Sequence, residues 1–160
     1  MASTTFSGPV TSTAGFISGS DSLVSVAADV TLTSASHAGR TMVLGVASGA
    51  TVTLPAASGT GNIYRFFVST TITSNNYVIQ VANGDDTMAG VAIVANDSDN
   101  SASIFETAAT SDTITMNGTT TGGLLGATAE IQDVASNVFS VVLRGAATGS
   151  EATPFSAAVS

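Results

Sequence analysis

The sequence has no cysteine, no tryptophan and no lysine, and its only histidine is His37. Without cysteine, disulfides and thiol chemistry are excluded. Without lysine, no Lys–Asn isopeptide cross-link can staple the chain. Charge of either sign is scarce: 9% of the residues are charged, against about a quarter in typical domains. The cations are Arg40, Arg65 and Arg144 alone, and eleven acidic residues bring the formal net charge to -8. That balance repels phosphate backbones and anionic headgroups, so neither nucleic acid nor a membrane surface is expected as a partner. No apolar run approaches the roughly 18 residues that span a bilayer. The first residues show neither a basic n-region nor an apolar h-region, so no signal peptide is expected.

Ala, Thr, Ser, Gly and Val take the place of charge, and mean hydropathy is +0.42. An apolar chain with no membrane-spanning run predicts an oligomer that hides much of its surface. At 160 residues the chain predicts one domain with a core large enough to need no metal or disulfide.

Short apolar runs punctuated by Gly, Pro, Asn and Asp dominate the centre, from Gly39 to Ala95. They are too short and too β-branched for helices, and read as strands. Val24, Val26, Ala28, Val30 and Leu32 alternate with polar or small residues, predicting one half-buried strand over 23–33. Ser34 to Gly39 reads as a turn, and strands follow at 41–46 and around Val52 and Leu54, ended by Pro55. In Ile63 to Ser69, Tyr64, Phe66 and Val68 share one face, while Ile63, Arg65 and Phe67 share the other. Apolar residues on both faces predict a central strand, or one whose outer face meets another subunit. Asn75-Asn76 reads as a hairpin turn into Tyr77 to Ala82. Further strands are expected at 91–95, 103–107 and 113–117, with Ile114 and Met116 inward. A closing hairpin should follow, with Ala127, Ala129 and Ile131 on one arm and Phe139, Val141 and Leu143 on the other. The sum is about ten strands and no helix: an all-β domain, a single β-sandwich or barrel-like unit over 21–145. Residues 1–20 read as an extended N-terminal arm with isolated apolar anchors, and 146–160 as a C-terminal tail anchored by Phe155 beside Pro154. No residue-level repeat is apparent.

No catalytic constellation emerges. His37 lies in a turn of small residues with no nucleophile-elbow pattern. The carboxylate pairs Asp85-Asp86 and Asp97/Asp99 lack the aromatic platforms of a glycosidase, for which only Tyr64 and Tyr77 are available. Asp97-Ser98-Asp99-Asn100 offers oxygen ligands, but not the glycine and closing glutamate of a calcium loop, so solvated turn carboxylates are expected. Asn96-Asp97-Ser98 matches a glycosylation sequon, which matters only on a secretory route. No enzyme activity, cofactor or metal is predicted.

Several segments together resemble a known family: Arg40 to Leu44, Ala50 to Pro55, Gly61 to Phe66, Thr73 to Ile79, Asp86 to Gly90 and Phe105 to Ala108. The opening Phe6 to Val10 and Gly15-Phe16 is similar as well. The series resembles the head decoration (cement) proteins of tailed bacteriophages. That resemblance implies a β-rich, commonly trimeric virion protein on the capsid exterior, with the major capsid protein as partner and no enzyme activity. In that setting the arm (Thr5, Phe6, Ser7, Gly8, Pro9, Val10 and Phe16) and the tail (Pro154 and Phe155) are the expected inter-subunit contacts. The alternative is a head fibre or tail-associated adhesion module binding host surface glycans through the loops 55–62, 83–86 and 96–100.

Overall fold

The computed structural model describes residues 22–160. The expected arm, with Thr5, Phe6, Ser7, Gly8, Pro9, Val10 and Phe16, lies outside the described residues. The strands are β1 (Leu23–Val26), β2 (Val30–Thr31), β3 (Thr41–Leu44), β4 (Ala50–Thr53), β5 (Ile63–Val68), β6 (Tyr77–Gln80), β7 (Thr87–Ala95), β8 (Ala102–Glu106), β9 (Thr113–Met116), β10 (Thr128–Ala135), β11 (Val138–Ala146) and β12 (Phe155–Ser156). One helical turn, α1 (Ser34–His37), interrupts them. A seven-stranded sheet runs β1-β3-β5-β10-β11-β7-β8 and a five-stranded sheet runs β12-β9-β6-β4-β2. The all-β sandwich expected from the strand pattern is the observed architecture.

The first six strands alternate between the sheets. β1, β3 and β5 are parallel neighbours in one, and β2, β4 and β6 are parallel neighbours in the other. The chain therefore climbs in three stacked two-strand rungs, in the manner of a β-helix. The later strands join by antiparallel pairing, β10 on β5, β9 on β6 and β12 on β9, except that β7 and β11 lie parallel. β10 and β11 form the expected closing hairpin, with Asn137 at φ 61 in its turn.

Rung geometry corrects two expectations. The segment 23–33 is not one strand. It turns at Ala27 to Asp29 and divides between the sheets, and the Asp29 carboxylate accepts the Thr51 amide of the next rung at 2.7 Å. Asn75-Asn76 is a corner rather than a hairpin, because β5 and β6 belong to different sheets. Asn75 adopts φ 53, and its side-chain amide donates to Ser48 O at 3.0 Å. Nearby, the amides of Thr73 and Ser74 donate to Ala47 O. These bonds stack the corner of the third rung on that of the second. Gly49 makes this approach possible, since a Cβ there would collide with the Asn76 carbonyl.

One hydrophobic cluster lies between the sheets. Tyr64, Phe66, Met42, Leu44, Phe139 and Met88 enter it from the larger sheet, and Tyr77, Ile79, Ile114 and Met116 from the smaller. Pairing aligns Met42 with Phe66, and Phe66 with Ala129, across β3, β5 and β10. Polar atoms at depth are satisfied: among the described residues no buried side-chain nitrogen or oxygen lacks a partner.

The expected tail is part of the domain. Pro154 and Phe155 are buried, and β12 pairs with β9. The buried Asp112 carboxylate accepts the Ala158 amide at 2.8 Å and the Val159 amide at 3.2 Å, clasping the last residues to the sheet. Pro154 and Phe155 thus spend their apolar surface on their own chain. The reason is topological: β9 needs a partner on its open side, and 155–156 is the segment that reaches it.

Candidate interaction face

Most of the polar residues singled out in the sequence are occupied locally. His37 closes α1, its Nδ1 accepting the Thr33 amide at 2.9 Å. Asp86 is buried and accepts the Ala57 amide and the Asn83 side chain. Asp99 accepts the Ser101 amide in the β7–β8 turn at 2.8 Å, and hydrogen bonds from the Ser101 side chain and backbone hold its carboxyl below the ordinary value. Asp97 accepts the Gly149 amide at 3.4 Å. Tyr64 and Tyr77 are buried and offer no platform to a sugar. Among the described residues no group of three or more His, Asp or Glu could hold a metal ion.

The two outer faces of the sandwich differ sharply in chemistry. Residues paired across neighbouring strands share a face, so the registers assign each row. On the five-stranded sheet one outer row is Thr31, Thr53, Gln80 and Thr113, and the next is Thr51, Val78 and Thr115. That face is threonine and glutamine with one valine. On the seven-stranded sheet one outer row runs Leu23, Thr41, Arg65, Glu130, Val142, Val91 and Glu106. The next runs Ser25, Val43, Phe67, Thr128, Arg144, Ile93 and Ile104. Leu23, Phe67, Ile93 and Ile104 are exposed there, Ile104 by 66% and Phe67 by 37%.

Charge on this face is balanced. Arg65 Nε meets Glu130 Oε2 at 3.0 Å. Both side chains are about half exposed, so the pair adds little stability; its effect is to neutralise the middle of the face. Arg144 and Glu106 complete two positive and two negative groups, which leaves the net charge of -8 to the rest of the chain. Between Arg65, Phe67, Thr128, Glu130 and Arg144 lies a shallow depression of about 270 Å³.

Strand β5 had announced this face, since its second apolar set, Ile63 and Phe67 around Arg65, is the outer one. In the strand expected at 91–95, Val91, Ile93 and Ala95 face outward, while Met88, Ala92 and Val94 fill the core. Ile104 and Leu23 were missed as face residues, because only the pairing of edge strands β8 and β1 places them in line. No family model matches the sequence, and neither a curated protein nor a solved structure matches it.

Proposed function

We propose that this chain is a structural virion protein, a decoration (cement) protein. It would bind the outer surface of a tailed-phage head and stabilise contacts between major capsid subunits, without enzyme activity. The observation that carries this reading is the contrast between the outer faces: one polar, the other an apolar, charge-balanced surface on an otherwise strongly acidic molecule. A surface depleted of net charge and carrying exposed Phe, Ile and Leu has the composition of an interface core. The resemblance read in the sequence supplies the partner.

Size argues for assembly. Seven strands at about 4.8 Å spacing, each contributing roughly five residues at about 3.3 Å, present on the order of 600 Å². That is below the roughly 800 Å² per partner of a standard stable interface. One copy alone would hold weakly. A homo-oligomer, a trimer for preference, would engage several sites at once and gain through effective concentration. Binding only to the intact shell would then stabilise it by mass action.

The test is co-sedimentation with expanded heads assembled without the protein. The wild-type chain should bind in high copy number. The F67D/I104D variant should fold with an unchanged melting profile and stay in the supernatant. Wild-type binding by that variant would remove the face from the mechanism. Absence of binding by the wild type would remove the function.

A further inference from the structure

β8 ends the seven-stranded sheet, and at 5 residues it is the longest of the strands that end a sheet. Its pairing with β7 fixes which way its backbone points. The Thr107 amide donates to Gly90 O, and Ser101 O accepts the Asn96 amide, both at 3.1 Å. In an antiparallel ladder such hydrogen-bonded positions recur at every second residue. Ser103 and Phe105 therefore turn their backbone groups towards β7. The N–H and C=O groups of Ala102, Ile104 and Glu106 point the other way, to a side where no described strand lies.

Sheet edges are normally blunted by lysine, proline, a bulge or a covering segment. β8 has neither lysine nor proline, and its register with β7 runs without a shift from Ala102 to Glu106. Glu106, at one end, is its only charge. Ile104, at the centre, is the most exposed large apolar residue among those described. Phe105, on the inward side, packs on the core but is only partly buried. The other end of the smaller sheet is treated differently, since Asp112 clasps the residues that follow β12.

We propose that β8 pairs antiparallel with β8 of a second copy, with Ile104 opposite Ile104. Only in that register do all 5 residues of each strand find a partner. Ala102 then lies opposite Glu106 of the second copy, and Ser103 opposite Phe105. Each pair of outward-pointing residues exchanges two N–H···O bonds, roughly six in all. The two Glu106 carboxylates stay about 13 Å apart along the strands, beyond the roughly 8 Å Debye length of physiological salt. Directly paired residues share a face. The two Ile104 side chains therefore meet on the outer side, and the outer faces of both sheets run on as one. The contact closes at two copies, and a trimer would need a different surface. An edge this short buries far less than the roughly 800 Å² per partner of a standard interface, so the pair should be reversible. The inference rests on the edge and not on the proposed function, and its test needs no phage head.

Sedimentation velocity and residue-resolved hydrogen exchange on the full-length chain in physiological salt decide it. As concentration rises from micromolar to millimolar, the mass should climb from 15.7 kDa towards twice that value. Over the same range the Ala102, Ile104 and Glu106 amides should gain protection by at least about tenfold, while the β10 and β11 amides keep their rates. The I104P variant removes the central donor, and proline is tolerated on an outermost strand where the N–H faces outward. It should keep its fold and stay at the mass of one chain. If that proline unfolds the chain, A102P is read by the same criterion. A wild type that remains a single chain at every concentration would overturn the proposal. Association that leaves the three amides unprotected, or that a folded proline variant does not weaken, would also overturn it, because the copies would then meet through another surface.

Discussion

Asp133 shows how one carboxylate can hold a long loop. It is buried, and it accepts the amides of Ser58, Gly59 and Thr60 and the Thr60 hydroxyl at 2.6–3.0 Å. Burial works against its charge, but the Thr60 hydroxyl and the three amides outweigh it and hold the carboxyl below its ordinary value. A depressed folded pKa adds stability above the unfolded value of about 4, and that stability is lost as pH falls towards the folded one. D133N should therefore cost roughly 2–3 kcal/mol at neutral pH, the scale of lost charge-assisted bonds. It should also flatten the decline in stability between about pH 5 and pH 3. Urea titrations of both proteins across that range provide the measurement, and parallel acid limbs would show that Asp133 is not the group responsible. At Tyr77 the balance runs the other way. Burial raises its hydroxyl above the usual value, and the group donates to Val46 O at 2.6 Å. Gly90 is required sterically, because a Cβ there would run into the Val141 carbonyl of the paired strand.

At the scale of elements, alternation located most strands and said nothing of where a strand stops being one strand. Val24, Val26 and Leu32 keep their inward phase, yet Asp29 sits at a corner that sends the second half to the other sheet. Hairpin and corner use the same residues: Asn137 turns a hairpin and Asn75 a corner, both with positive φ. Sequence reading also missed the short helical turn α1 and the strand β12, whose two residues carry no period. Phe155 is 7% exposed, so F155A should cost about 3 kcal/mol by the usual scale for a buried aromatic. For a domain of this size the melting temperature should drop by roughly 10 °C. Removal of 154–160 should cost more, because it also uncovers Asp112. A calorimetric scan that left the melting temperature of F155A in place would mean that the tail is not held in solution.

At the scale of the whole molecule the acidic excess and the apolar face oppose each other. Like charge keeps copies apart at neutral pH, while an adhesive face as proposed would draw them together. As pH falls towards the sequence pI of ≈ 4.1 the repulsion disappears. Light scattering at low salt should then show growing mass while circular dichroism still reports a folded chain, and the growth should be smaller in F67D/I104D. A mass that stays constant through that range in the folded protein would argue against an adhesive face.

The sequence by itself determined the fold class and the strands of the centre, because a period of two and turn-forming residues act locally. It also disclosed, in Ile63 and Phe67, that one strand had a second apolar side. Only the tertiary structure decided that six strands climb as rungs. The steps from Leu23 to Thr41 to Arg65 are 18 and 24 residues, and corners of unequal length erase any repeat in the sequence. It alone turned Pro154 and Phe155 inward and gathered Leu23, Phe67, Ile93 and Ile104 onto one face. Those placements depend on which strands pair, and pairing joins residues too far apart along the chain for any local pattern to record.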